Sequence, residues 1–305
     1  MAKQLILAGI FFLIIFVFKV PTEFPQHVLG SNLVSIIGGS SLGNETQEKK
    51  FTISEIETHG AYILDISTNK IIYEKNPKDV RPLASLTKLV TGILAEENIK
   101  DGAYITISKA AEEQVQGEGM QAGDEYKKED LIDIMMVASS NDAAYAVAEA
   151  ISGNAENFIF LMNQKVGSLG FKTLGFSSPH GLDILTRDGW NAGSSGSAEE
   201  VGKLFEYVYK NYPSLIAKTR LANFEIISKA GRVIKVKNTN EAFGDIPNLI
   251  GSKTGYTAIA GGNLVFIFEP APGKPVVVSI LGSSEKGRFE DARKLVQEIS
   301  KYYGN

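Results

Sequence analysis

Three short boxes in the sequence place a hydroxyl beside a cation or an amide: Ser85-x-x-Lys88, Ser139-x-Asn141 and Lys253-Thr254-Gly255. A serine hydroxyl becomes a useful nucleophile only when a base takes its proton. Histidine is the usual base, but the chain has only 3 His, at His27, His59 and His180, all widely separated. A lysine can serve instead once burial or a second cation lowers its pKa toward the neutral amine. Ser85 and Lys88 stand three residues apart at the start of an apolar run, so in a helix they share a face. A helix start also offers free backbone N–H groups and favours negative charge on the serine oxygen. In the second box, a break between two apolar runs can project Ser139 as a proton relay and Asn141 as a hydrogen-bonding amide. In the third, Lys253 and Thr254 suit a carboxylate, and Gly255 lets a ligand approach the backbone.

Each box also has a plainer reading. Ser85 could simply cap its helix with Lys88 on the surface, Asn141 or Asp142 could cap the next helix, and Lys253 could be a strand-end surface lysine. The spacings recur as well: Ser67–Lys70 and Ser283–Lys286 repeat the first, and Ser67–Asn69 and Ser152–Asn154 repeat the second. Context gives those copies to a hairpin turn, a helix N-cap and the flanks of a helix end. Lys-Thr-Gly occurs once.

The elements that must position the boxes can be read from periodicity. Ala61–Ile66 and Ile71–Lys75 read as two strands around the turn Ser67-Thr68-Asn69-Lys70. Helices are expected through SLTKLVTGILAEEN, KEDLIDIMMVA, DAAYAVAEAI closed by Gly153, AENFIFLMNQKVGSLG closed by Gly170, and AEEVGKLFEYVYKN before Pro213. Then GRVIKVKN, LIGSKTGYT, GGNLVFIFE and KPVVVSILG read as strands of an antiparallel sheet, followed by the amphipathic helix RFEDARKLVQEISKYY. Strands first, helices in the middle and strands last make an α+β fold, with the first hairpin and the late strands in one sheet.

Composition narrows the class. Lys+Arg 31 against Asp+Glu 35 gives a net charge of −4, with no basic excess to neutralise phosphates, so no nucleic-acid partner is expected. Cys is 0, which removes disulfides, thiolate metal sites and a cysteine nucleophile together. Leu5 to Phe18 is an apolar run flanked by Lys3 and Lys19, with no A-x-A-like cleavage site after it. Residues 1–20 are therefore read as an N-terminal membrane anchor, with a cleaved signal as the alternative. The Gly/Ser/Asn-rich residues 21–50 are read as a linker, and residues 51–305 as the catalytic domain. Lys3 and the free amino terminus place the N-terminus in the cytoplasm and the rest outside.

The three boxes in this order, on a helix, an interhelical loop and a strand, resemble the penicillin-binding serine hydrolases. The longer strings RPLASLTKLVTG, MMVASSNDAA, SSPHGLD and GSKTGYT look like the low-molecular-mass D-alanyl-D-alanine carboxypeptidases of peptidase family S11, over about Ile56 to Leu281. The resemblance implies a penicillin-binding protein/β-lactamase-like fold, an antiparallel sheet flanked by helices plus a helical region. It implies Ser85 as acyl-ester nucleophile, Lys88 as general base and Ser139 as the relay to the leaving D-alanine. Asn141 would hold substrate, and Lys253 and Thr254, with Gly255 beside them, would bind the terminal carboxylate. The backbone N–H groups of Ser85 and Tyr256 would form the oxyanion hole. The implied substrate is a peptidoglycan stem peptide ending in D-Ala-D-Ala, with β-lactams as covalent inhibitors, no cofactor or metal, and a bacterial membrane location with the domain outside the cytoplasm. An endopeptidase acting on D-Ala cross-links would use the same residues. A wall-binding pseudoenzyme would show decay in a box, and all are intact.

Departures from the family pattern bear on specificity. No Glu-x-x-Leu-Asn segment, whose Glu assists deacylation in class A β-lactamases, lies between Asn141 and Lys253, so efficient β-lactam hydrolysis is not expected. Many members carry a C-terminal β-rich domain and a terminal amphipathic membrane helix; here the roughly 20 residues after the last strand are expected to form a helix of the catalytic domain, with the N-terminal anchor serving as the tether. Arg187–Ser197 (RDGWNAGSSGS) does not fit the family pattern. Trp190, the single Trp, is expected to pack a loop rather than touch substrate, and His180 is expected to be structural.

Overall fold

The computed structural model describes residues 51–304; the expected anchor (1–20) and linker (21–50) lie outside the described residues. The alternating apolar runs build one five-stranded antiparallel sheet. Its strands are β1 (Gly60–Asp65), β2 (Lys70–Lys75), β3 (Leu249–Thr257), β4 (Gly261–Phe268) and β5 (Val276–Ser283). The spatial order is β3-β4-β5-β1-β2, so the first hairpin and three of the expected late strands share a sheet, as expected.

Each interior strand is apolar on both faces because both faces are covered. Side chains alternate across a strand. Tyr62, Leu64, Val265, Ile267, Val277 and Leu281 face one core, while Ala61, Ile63, Phe266, Phe268, Val278 and Ile280 face the other. The first core is closed by α1 (Lys88–Asn98), α2 (Lys128–Val137), α3 (Asn141–Ser152), α4 (Ala155–Ser168) and α5 (Ala198–Asn211). The second is closed by α6 (Gly287–Tyr303), which lays Phe289, Ala292, Leu295, Val296 and Ile299 on the sheet at helical spacing. Each buried Phe or Leu here contributes about 1.5–3 kcal/mol. The two-core arrangement therefore fixes the sheet firmly on both sides. On β1, Gly202 of α5 lets the helix meet the Tyr62 ring, which would stand 2.8 Å from a Cβ at that position.

Two sequence expectations need correction here. GRVIKVKN forms a strand, Val233–Lys237, but it does not join the main sheet; it pairs with Asn223–Ile227 in a separate ribbon. Its register alternates buried Ile234 and Val236 with exposed residues, so it covers the helical core with one face only. Trp190 does not pack a loop. It lies on a short hairpin, Ile184–Thr186 with Gly189–Asn191, opposite Leu185, and is 66% exposed. The copies of the box spacings do have the structural roles expected. Ser67 donates from both N and Oγ to Asp65 Oδ1 in the hairpin turn, Asn154 Oδ1 caps α4, and Ser284 Oγ accepts from Gly287 N at the start of α6. Among the described residues, no helix is long and apolar enough to cross a membrane.

Candidate active site

Ser85 is held by a single 3-10 turn, Ala84–Thr87, that runs directly into α1. It is not within the α-helix itself, as its spacing suggested, and its hydroxyl makes no capping bond. Ala84 has φ 51, a left-handed conformation that costs a non-glycine residue about 1–3 kcal/mol and persists only where surroundings impose it. The surroundings are tight. Leu83, Ala84 and Leu86 are buried, Thr87 Oγ1 donates to Ala84 O (2.7 Å), and Gly181 (φ 85) passes so close that a Cβ would lie 2.0 Å from Ala84 O. Lys88, the first residue of α1, is fully buried rather than on the surface. Its Nζ lies 2.9 Å from Ser85 Oγ, 2.7 Å from Asn141 Oδ1 and 3.0 Å from His180 O. Burial first, and then the Lys253 cation, hold the Lys88 pKa well below the ordinary lysine range, with Asp142 opposing weakly.

The second box lies where α2 stops and α3 starts. Ser139 takes φ 64, the left-handed turn that ends α2. Ser140, not Asn141 or Asp142, is the side chain that caps α3, accepting from Ala143 N (3.1 Å). That leaves Asn141 free to reach Lys88 through Oδ1, while Nδ2 donates one hydrogen to Val115 O (2.8 Å) and keeps a second. Asp142 receives the backbone N–H groups of Glu118 (2.9 Å) and Met120 (3.3 Å) and so fixes the loop over this side of the cleft. Gly117 is needed there, because a Cβ would come within 2.6 Å of the Asp142 carboxylate.

The third box is on β3, the edge strand of the main sheet, and Lys253 is buried. Lys253 Nζ donates to Ser139 Oγ (3.0 Å) and to Thr254 O (2.9 Å), and Thr254 Oγ1 is 2.6 Å from Thr239 Oγ1. Burial, then Arg288, brings the Lys253 pKa down to about 7. Gly255 lets β3 run against the Ser85 turn: a Cβ would lie 2.7 Å from Leu83 O and 3.2 Å from Ser85 N. The backbone of β3 and the Ser85 N–H are thereby brought face to face.

Sequence reasoning missed two side chains of this cleft. Arg288 on α6 is buried, donates from Nη1 to Gly255 O (2.7 Å), and leaves Nε without a partner. Glu118 lines the cleft mouth, its carboxyl pKa raised by burial and then by Asp142. Neither lies in a recognisable motif; one reads as a helix charge and the other as a loop charge. His180 is structural, as expected. Its Nδ1 accepts from Leu182 N (3.2 Å), its Nε2 is 3.1 Å from Gln114 Oε1, and burial, then Lys88, lowers its pKa to about 3.

The cleft thus gathers all three boxes around a cavity of about 330 Å³ bordered by Ser85, Ser139, Thr254, Gly255, Tyr256 and Arg288. It joins a hydroxyl to a neutral-leaning amine, a second hydroxyl to a second amine, and a buried guanidinium to a strand edge. Such a set can transfer an acyl group next to a carboxylate. Among the described residues, no group of three or more His, Asp or Glu could hold a metal ion.

Comparison with known proteins finds the family model described as D-alanyl-D-alanine carboxypeptidase, Peptidase S11, matching residues 44–284. The chain is similar to a D-alanyl-D-alanine endopeptidase of Escherichia coli, 29% identical over 79% of this chain and 76% of that protein. It is similar to a D-alanyl-D-alanine carboxypeptidase of Haemophilus influenzae, 27% identical over 87% of this chain and 68% of that protein. Among solved structures, a DD-transpeptidase of Streptomyces superposes with a TM-score of 0.72 at 25% identity, over 81% of this chain and 98% of that one.

Proposed function

The chain belongs to the D-alanyl-D-alanine carboxypeptidases of peptidase family S11, and from that premise we propose how its residues divide the work. The protein is a serine peptidase that removes the terminal D-alanine from peptidoglycan stem peptides and is acylated by penicillins. Neutral Lys88 accepts the Ser85 proton as Oγ attacks the carbonyl of the penultimate D-alanine. The oxyanion forms between the N–H groups of Ser85 and Tyr256. The amide C–N bond then breaks, and a proton reaches the leaving amine through Ser139, itself hydrogen-bonded to Lys253. Lys253, Thr254 and Arg288 hold the terminal carboxylate, with Gly255 admitting it to the backbone. Asn141 orients the base through Oδ1 and offers its second N–H to a substrate carbonyl. Water hydrolyses the ester once D-alanine has left.

The observation that supports this reading most is the buried Lys88 Nζ at 2.9 Å from Ser85 Oγ, its pKa lowered by burial and then by a second buried lysine. The test is labelled penicillin with intact-mass and peptide mapping. The label should sit on Ser85 and be absent from Ser85→Ala, which should also release no D-alanine. Label that survives in that variant would overturn the assignment.

A second reading, cleavage of D-Ala cross-links, is favoured by the similarity to the endopeptidase. Products from a defined cross-linked muropeptide separate the two. We further propose that residues 51–305 are the catalytic domain, held to the outer face of the bacterial cell membrane by residues 5–18. Removal of residues 1–50 should then leave an active, soluble enzyme, and the full chain should sediment with membranes.

A further inference from the structure

The hairpin of Ile184–Thr186 and Gly189–Asn191 has no part in the mechanism above. Its cross-strand pair Leu185 and Trp190 shares one face, and the two are 68% and 66% exposed. The fold buries only about a third of either residue. The root of the hairpin is tied to the end of β3, because Thr257 Oγ1 donates to Asp183 Oδ1 at 2.9 Å and Ile259 N donates to Asp183 Oδ2 at 3.4 Å. Gly193 closes the returning leg, where a Cβ would meet Leu182 O at 2.0 Å. The exposed apolar side chains Tyr256 and Ile259 continue this surface from the cleft.

The polarity of the bound substrate follows from the assigned roles, and this inference rests on them. The carboxylate sits at Lys253 and Thr254 and the scissile carbonyl at Tyr256. A peptide laid on the free edge of β3 therefore advances, from its C-terminus toward its N-terminus, past Tyr256 and Thr257 toward Asp183. Reach agrees. Two residues from Gly255 to Thr257 and two from Asp183 to Leu185 add roughly 13 Å at about 3.3 Å per residue. About four extended stem residues span much the same length. In peptidoglycan the far end of the stem is joined to an amino sugar.

We infer that the Leu185–Trp190 face of this hairpin is a saccharide subsite, on which the sugar joined to the stem peptide stacks its C–H face against the indole. Arg187 and Asp188, exposed at the turn of the same hairpin, could serve ring hydroxyl and acetamido groups, while the Asn191 amide is engaged with Thr186 Oγ1 and Gly189 O. The enzyme then reads its substrate at both ends, carboxylate in the cleft and sugar on the hairpin.

Trp190 is the single Trp of the chain, so intrinsic fluorescence reports this subsite directly. Full-length Ser85→Ala protein would be titrated with disaccharide-pentapeptide, free pentapeptide and anionic phosphatidylglycerol vesicles. The disaccharide-pentapeptide should shift the emission to the blue and shield it from iodide, and free pentapeptide should not. In turnover, wild type should favour the disaccharide-pentapeptide by roughly tenfold in kcat/KM, carried in KM, which is about 1.4 kcal/mol. Trp190→Ala should erase that preference, Trp190→Phe should keep part of it, and both should handle free pentapeptide as wild type does. Equal kcat/KM for the two substrates with unshifted emission would overturn the inference. A blue shift with vesicles and none with the sugar would overturn it in favour of lipid contact. Failure of wild type to turn over free pentapeptide would instead count against the catalytic reading, and the emission titration would still judge the subsite.

Discussion

Replacing Lys88 with Met tests the reasoning at its most exposed point. The substitution keeps the side chain out to its ε position and removes the amine that lies 2.9 Å from Ser85 Oγ. Two buried acceptors lose their donor, Asn141 Oδ1 and His180 O. An unsatisfied buried acceptor costs about 1–3 kcal/mol. Against that, the variant no longer carries an amine that burial penalises in its charged form, and Met fills the space at less than about 1.5 kcal/mol of packing cost. The terms oppose one another, so the net change in stability should stay within about 3 kcal/mol, and the thermal midpoint should fall by less than about 10 °C. Acylation has no such offset. Loss of the general base removes about 10²–10⁴-fold in rate, or about 3–5 kcal/mol of barrier. Stopped-flow labelling with a fluorescent penicillin would give the acylation rate, and thermal unfolding followed by near-ultraviolet circular dichroism would give the midpoint. A folded Lys88→Met protein acylating within tenfold of wild type would refute Lys88 as the base.

The pH dependence should follow the two lysines. Acylation should rise as Lys88 loses its proton well below the usual lysine pKa, and fall above about 7 as Lys253 loses the charge that holds a carboxylate. A single flat profile from pH 5 to 9 would contradict this. Stability runs the opposite way for Lys253. Its folded pKa of about 7 lies below the ordinary 10.5, so the unfolded chain binds the extra proton between those values and stability rises with pH across that window. Lys253→Met should therefore flatten the pH dependence of the thermal midpoint from 7 to 10, and an unchanged slope would count against a buried cation there. Gly181→Ala should unfold the Ser85 turn, since its Cβ would lie 2.0 Å from Ala84 O at a φ of 85, and normal penicillin labelling would show the turn more pliant than its packing implies. The penicilloyl adduct should outlast many peptide turnovers, because its tethered amine blocks the place that water needs. Multiple rapid turnovers of penicillin, read by intact mass, would point to Glu118 at the cleft mouth as a deacylating base.

Much of the architecture was legible before any coordinates, because strand and helix periods report which face is buried. The run GGNLVFIFE was legible as a strand and forms β4; that both its faces are covered came from the structure. The three boxes in their order named the chemistry through the family they resemble, and the scarcity of histidine agreed with a lysine base. What sequence could not supply were properties of space. Lys88 and Lys253 are 165 positions apart, and only the packing of the Ser85 turn against β3 lets the second cation add to burial in lowering the Lys88 pKa. Spacing suggested that Asn141 or Asp142 would cap α3; the left-handed turn at Ser139 gave that task to Ser140 and freed Asn141 for Lys88. Arg288 reads as one more charge on an amphipathic helix, and becomes part of the cleft only because α6 starts within hydrogen-bond reach of Gly255 O. The strand at Val233–Lys237 had the right period and the wrong partner, since alternation fixes a face and not a neighbour. Local pattern therefore determined the elements and the kind of reaction. The lowered pKa values, the strained turns and the third cation depend on contacts distant in the chain, and those only the tertiary structure decided.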